Sequence, residues 1–338
     1  MSQSLEPPSI FVEDENLEVS LRPQVFAEFK GQDKICQCLD VSIQAALQRK
    51  EALSHCLLVG PPGLGKTTLA NLIARSMQGS LVATSGPTLE KAGDLAGLLT
   101  NLSHGDILFI DEIHRLHKSV EEYLYSAMED FILDLMIDSG PNARSVRITL
   151  PPFTLIGATT KSGLLSAPFR SRFTGHYRLE YYNDEVLSSI IQRSGVLLEA
   201  CLDGEVSKEI AKRSRGTPRI ANNLLKWVRD YAQIHNDCCI DMPTVLKALN
   251  MLSIDKEGLD ALDKKILTLI IEHYDGGPVG LNTLAVAIGE DSSTIEEVYE
   301  PYLILKGFLK RTIRGREVSS KAYQHLGKAK HIKGEPFV

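Results

Sequence analysis

Short apolar runs alternate with helical periodicity along the first half of the chain. Residues 56–60, 81–84, 107–111, 154–159 and 176–181 read as buried strands, each separated from the next by helical or loop sequence. Strands that alternate with helices predict a parallel sheet with helices on both faces. Residues 132–150 interrupt the pattern. Two strand-like arms, 132–137 and 145–150, flank Asp138-Ser139-Gly140-Pro141-Asn142, which predicts a β-hairpin inserted before the fourth strand. The apolar first arm leaves two expectations: a projecting hairpin that offers a docking surface, or a hairpin folded back on its own domain.

Strand signals vanish from 184 to 252, and helical periodicity takes over, broken at Gly216-Thr217-Pro218. Pro218 suits the first turn of the helix that follows. A third unit opens near Asp255. Leu262, Ile266, Leu269 and Ile270 mark one helix face; Leu281, Leu284 and Ile288 mark a second. Asp291-Ser292-Ser293 caps a third helix that runs through Ile295, Val298 and Tyr302. Residues 308–318 then read as two short strands around a basic Gly turn, which completes a winged-helix pattern. Arg314-Gly315-Arg316 at the hairpin tip argues for DNA contact; a purely structural helical cap is the competing reading. The expected organisation is an α/β P-loop domain with a parallel sheet (1–182), a small all-helical lid (183–254), a winged helix (255–330) and a tail (331–338).

Charge sharpens the third unit. The formal net charge is −6, yet nine Lys/Arg and two Asp/Glu lie from Lys306 onward, so a basic end is attached to an acidic body. That distribution fits one local polyanion-binding face as well as a solubilising tail. The six cysteines (36, 38, 56, 201, 238 and 239) form no paired C-x-x-C spacing and are expected to be reduced thiols. No apolar run approaches membrane-spanning length, and the acidic first 20 residues lack a signal-peptide pattern, so a cytoplasmic protein is expected.

The chemistry starts at Gly60-Pro61-Pro62-Gly63-Leu64-Gly65-Lys66-Thr67, a G-x-x-x-x-G-K-[ST] run between a strand and a helix that begins near Thr68. The glycines let successive backbone N–H groups point at phosphate oxygens, and the helix adds its positive end. Lys66 can reach the β- and γ-phosphates, and the Thr67 hydroxyl can ligate Mg²⁺. A second signal, Ile107-Leu108-Phe109-Ile110-Asp111-Glu112, sets two carboxylates at the C-terminal end of a strand, where such sheets bind ligands. Asp111 can hold Mg²⁺ through water, and Glu112 can polarise a water that attacks the γ-phosphorus. With no N-K-x-D element for guanine, the pair favours an ATP hydrolase. Thr159-Thr160 end the next strand with hydroxyls, and Arg170-Ser171-Arg172-Phe173 offers arginines that a neighbouring subunit could use.

These motifs together resemble the AAA+ ATPases, and within them the bacterial Holliday-junction branch-migration motors, over nearly all of residues 21–327. Leu21-Arg22-Pro23, Gly31-Gln32, Asp111-Glu112-Ile113-His114-Arg115-Leu116, Gly216-Thr217-Pro218-Arg219, Gly276-Gly277-Pro278-Val279-Gly280-Leu281 and Glu297-Val298-Tyr299-Glu300-Pro301-Tyr302-Leu303 carry the resemblance. It implies that residues 60–68, including Thr68, line the phosphates, with Lys66, Thr67, Asp111 and Glu112 as the Walker residues. It further implies that Thr159 is the first sensor, Arg172 an arginine finger acting in trans, and Arg219 the second sensor. Leu21, Arg22 and Tyr181 would help enclose adenine, and Arg311, Arg314 and Arg316 would touch DNA. The implied cofactors are ATP and Mg²⁺. The implied partners are duplex DNA at a Holliday junction, a RuvA-like junction-binding protein docked on hairpin 132–150, a RuvC-like resolvase, and five further copies in a homohexameric ring. Lys161, Thr174 and Ile313 depart from the family pattern, at positions where Arg, Gly and Pro are expected. A clamp-loader-type AAA+ subunit and a nucleotide-switched DNA-binding regulator are the alternatives; neither accounts for the winged helix together with the Asp-Glu pair and Arg172.

Overall fold

The computed structural model describes residues 20–136 and 145–329. Strands β1 (Cys56–Val59), β2 (Leu81–Ser85), β3 (Ile107–Asp111), β6 (Thr154–Thr159) and β7 (Gly175–Arg178) form one parallel sheet in the order β2-β3-β6-β1-β7. Between β3 and β6 the chain makes a separate antiparallel pair, β4 (Ile132–Met136) and β5 (Ser145–Thr149). β1 and β6 are buried along their lengths, and β3 up to the half-buried Asp111, because helices cover both faces. The edge strands differ from the expectation of five buried strands. β2 is partly exposed, and β7 alternates between half-buried and exposed positions, because each has only one strand neighbour.

The inserted hairpin also departs from the picture of a freely exposed apolar arm. Leu133 is fully buried and joins Leu150, Phe153, Leu124 and Met128 in the core on one face of the sheet. The base of the hairpin is therefore anchored in the domain, while Val146 on the return arm is exposed. Residues 137–144, with the expected turn Asp138-Ser139-Gly140-Pro141-Asn142, lie outside the described residues, as do the first 19 residues and the tail from 330.

The chain divides into two compact units. One runs through the sheet domain to Val186 and includes Thr217–Arg219; the other holds Leu187–Gly216 and the chain from Ile220 onward. Helices Asp184–Leu197, Gly204–Lys212, Pro218–His235 and Met242–Met251 make up the lid. Ala221, Leu224, Leu225, Val228 and Ala232 form the buried stripe of its longest helix, as the 3.6-residue period requires. Asp203 and Asp241 cap their helices by accepting from Val206 N–H (2.7 Å) and Thr244 N–H (2.9 Å).

The winged helix packs helices Ala261–His273, Leu281–Ile288 and Glu300–Leu305 against the hairpin β8 (Leu309–Thr312) and β9 (Gly315–Val318). Val279 exchanges both backbone hydrogen bonds with Arg316, an isolated antiparallel bridge beside the two-stranded wing. Gly315 permits that approach: a Cβ there would stand 2.3 Å from the Val279 carbonyl oxygen. One expected core position moves. Residues Ile295–Tyr299 form a π turn, whose extra residue per turn shifts the helix register; Val298 is half exposed and Glu300 lies inside.

Candidate active site and nucleic-acid interface

Strand order builds the site. β6 lies between β1 and β3, so the C-terminal ends that carry Gly60, Thr159 and Asp111 are neighbours although the residues are far apart in sequence. Gly60 N–H donates to the Thr159 carbonyl at 3.1 Å, which welds the start of the phosphate loop to β6. Gly63 and Gly65 hold φ of 78° and 97°, left-handed conformations that side chains resist. Helix Lys66–Met77 follows with no side-chain cap, so its first N–H groups remain for an anion.

Lys66 is buried, and its amine donates to the Gly60 and Pro61 carbonyls, both at 2.8 Å. Burial lowers its pKa to about 8; the charge of Arg219 pushes the same way, and Asp111 and Glu112 oppose them. Arg219 is in fact seated on the loop. Its backbone N–H reaches the Gly63 carbonyl at 3.4 Å, and a Cβ on Gly63 would sit 3.1 Å from the Arg219 Cβ. Asp111, Glu112 and Arg219 are thus close enough for Lys66 to feel their charge. Thr67 and Thr68 occupy the first turn of the helix, half-buried.

Asp111 accepts the Glu112 N–H at 2.8 Å. Glu112 adopts φ of 46°, and its carboxylate pairs with Arg115 at 2.8 Å on the surface. Thr159 is 1% exposed; its hydroxyl accepts Lys161 N–H at 3.0 Å and lies 3.0 Å from His114 Nδ1. The Thr159 side chain is therefore committed inside the domain, and the half-buried hydroxyl residue at the strand end is Thr160. His114 lies within the Asp111–Leu116 run that carries the family resemblance, but nothing in the residue pattern alone gives it this partner.

Among the adenine candidates, Leu21 is buried and Arg22 and Tyr181 are half-buried. The aromatic residue that ties down the loop is the next one, Tyr182. Its hydroxyl donates to the Leu64 carbonyl at 3.2 Å, and its ring lies against Gly31, where a Cβ would meet it at 2.6 Å. Arg172 caps the short helix Ala167–Ser171 and is held by its own domain. Its guanidinium lies 4.3 Å from the Tyr125 ring centre and donates to the Pro168 carbonyl at 2.7 Å and to Glu129 at 3.2 Å.

The wing requires a correction. Arg316 does not face solvent as a DNA-contacting residue must: it is 8% exposed, and its guanidinium forms an ion pair with Glu300, itself 2% exposed. Opposite it in the hairpin register, Arg311 is exposed but bridges Glu296 at 2.9 Å. Arg314 and Ile313 form the exposed tip. The physical reason is the π turn, which brings Glu300 under the wing and captures the second tip arginine.

Comparison with known proteins gives one consistent result. The model described as "Holliday junction DNA helicase RuvB P-loop domain" matches residues 21–179, the RuvB AAA lid domain matches 182–255, and the RuvB C-terminal winged helix domain matches 256–327. The Holliday junction branch migration complex subunit RuvB of Protochlamydia amoebophila is 62% identical over 311 residues, spanning 92% of this chain and 94% of that protein. The subunit of the same name from Flavobacterium psychrophilum is 58% identical, with each chain fully covered. The solved Thermotoga maritima RuvB Holliday junction branch migration motor superposes with a TM-score of 0.84 at 51% identity, over 92% of this chain and 99% of that one.

Proposed function

We propose from one premise: the chain belongs to the RuvB family of AAA+ ATPases, with the P-loop domain, lid and winged helix in that order. It is an ATP-hydrolysing motor subunit that drives branch migration of Holliday junctions, within a complex that includes junction DNA and a RuvA-like partner. The observation that carries this reading is the convergence of Lys66, Asp111, Glu112 and Arg219 at the phosphate loop, in a chain that also carries the wing.

The site's residues divide the chemistry. Lys66, desolvated and already aimed at loop carbonyls, exchanges those partners for phosphate oxygens, whose charge holds its proton more firmly. Glu112 leaves Arg115 to polarise the attacking water, and the Thr160 hydroxyl orients that water from the end of β6. The Thr67 hydroxyl and the Asp111 carboxylate are an all-oxygen donor set of the kind Mg²⁺ takes, with one Asp111 oxygen engaged by the Glu112 N–H. A bound Mg²⁺ would supply charge neutralisation at the β- and γ-phosphates.

Arg172 completes the site of a neighbouring subunit in a homohexameric ring, a head-to-tail contact that closes on itself. Arg219 stands in the first turn of helix Pro218–His235, so loss of the γ-phosphate is passed along that helix to the lid. Arg314 at the wing tip touches the DNA backbone, hairpin 132–150 docks on the RuvA-like partner, and a RuvC-like resolvase acts on the same junction.

The decisive experiment measures ATP turnover alone, with four-way-junction DNA, and with junction DNA plus the junction-binding partner. Stepwise stimulation is expected, together with strand-exchange products from a labelled junction. Turnover indifferent to both additions would overturn the reading. For the finger, Arg172→Ala subunits should be inactive alone and regain hydrolysis when mixed with Lys66→Ala subunits.

A further inference from the structure

Arg172 is a long side chain at the end of a helix only five residues long, Ala167–Ser171, yet it is not loose. Its side chain is 20% exposed. The guanidinium lies face-on to the Tyr125 ring at 4.3 Å, one end donates to Pro168 and the other to Glu129. Its Nε is buried with no acceptor among the described residues, so the side chain is held through its two ends and its flat face.

Tyr125 is itself fixed. Its hydroxyl donates to Glu121 (2.5 Å) and lies 3.1 Å from the Ser166 hydroxyl. Ser166 is the N-cap of the Arg172 helix and accepts Phe169 N–H at 3.2 Å. The ring packs on Phe169, with centroids 5.8 Å apart. Helix Lys118–Glu129 thus contributes a platform at Tyr125 and an anchoring carboxylate at Glu129, one turn apart on the same face. The platform is bonded to the cap of the very helix whose last turn carries the arginine.

We propose that Tyr125 and Glu129 are positioning residues for Arg172: they hold the guanidinium in the orientation in which it meets the nucleotide of the adjacent subunit. The inference rests on the reading of Arg172 as a finger in trans. An arginine loses rotamer freedom when it is ordered. Ordering it before the encounter leaves that term out of the hydrolysis barrier. The aromatic face attracts the cation without neutralising it, and the exposed Glu129 carboxylate gives up its end of the guanidinium to the transferring phosphoryl group.

The test uses full-length subunits, nucleotide binding and mixed rings. Tyr125→Leu should lower turnover about tenfold, the scale of a half-buried cation–π contact, with nucleotide affinity unchanged. Tyr125→Phe keeps the ring and should stay near wild-type turnover. Glu129→Ala, at an exposed position, should lower turnover about threefold. The distinguishing result is complementation: mixing Tyr125→Leu with Lys66→Ala subunits should restore hydrolysis, because the intact phosphate loop of one then meets the intact finger of the other. Arg172→Ala mixed with Lys66→Ala is the control. If the control recovers and Tyr125→Leu does not, the positioning role is overturned while the finger stands. If the control itself fails, both fall. Equal losses in Tyr125→Phe and Tyr125→Leu would overturn the platform. Should Tyr125→Leu fail to fold, Glu129→Ala carries the test, and unchanged turnover there overturns the proposal.

Discussion

Arg316 and Glu300 form an ion pair inside the winged helix, between the wing strand β9 and the helix Glu300–Leu305. Glu296, a turn earlier, adds a carboxylate 3.9 Å from the same guanidinium and 2.9 Å from Arg311. A tip arginine is thereby turned from a DNA contact into a strut of the domain. Arg316→Ala leaves Glu300 charged and unpaired in a buried site, and the domain should lose about 3–5 kcal/mol. Replacing both residues with apolar ones of similar volume should recover most of that loss. Thermal melting of the two variants checks it; an unchanged melting temperature in Arg316→Ala would return that residue to the DNA-contact group.

Arg314 behaves oppositely. It is exposed at the tip, so Arg314→Ala should leave melting unchanged and weaken duplex binding about equally on unrelated sequences. The slope of log affinity against log salt should fall by roughly one for the lost phosphate contact. A sequence-dependent loss would show a base contact instead.

Glu112 is paired with Arg115 in this structure, so its part in hydrolysis begins with the breaking of a surface ion pair. Glu112→Gln should retain nucleotide binding and lower turnover by about 10²–10⁴, the usual contribution of a positioned base. Arg115→Ala should not reduce basal turnover, because a surface pair of this kind contributes little. Single-turnover hydrolysis separates the two; normal hydrolysis in Glu112→Gln would remove it as the base.

Lys66 carries a pH signature. Its folded value near 8 lies below the ordinary 10.5 because burial penalises the charged form. The folded state therefore sheds the proton first. The penalty is full below pH 8 and fades as pH rises towards 10.5, and its scale is on the order of 3 kcal/mol. Lys66→Met should stabilise the nucleotide-free protein at pH 7 relative to wild type, and that advantage should shrink at pH 9.5. Denaturant titrations at the two pH values give the difference; a pH-independent gap would mean that the amine is well solvated.

Asp263 is fully buried at the start of helix Ala261–His273, where both its oxygens accept from Arg215 at 2.7 and 2.6 Å. Asp263→Ala leaves that guanidinium without its main acceptor beside Tyr302 and should cost about 3–5 kcal/mol, seen as a lower denaturation midpoint.

What the chain itself determined is local. The phosphate loop, the Asp-Glu strand end and the Arg314 turn are legible because each depends on a few consecutive residues whose backbone freedom, charge and apolar spacing fix the local shape. The lid and winged-helix helices followed from apolar periodicity for the same reason. Tertiary structure decided what depends on partners distant in sequence. The order β3-β6-β1 made neighbours of residues some fifty to a hundred positions apart, and folding brought Arg219 onto Gly63. Burial set Tyr182 against the phosphate loop at Leu64 and turned Thr159 inward to His114. A single π turn took Arg316 from the surface to Glu300. In each case a side chain's role was set by which polar group it met once water had been excluded, and only the packed chain determines that meeting.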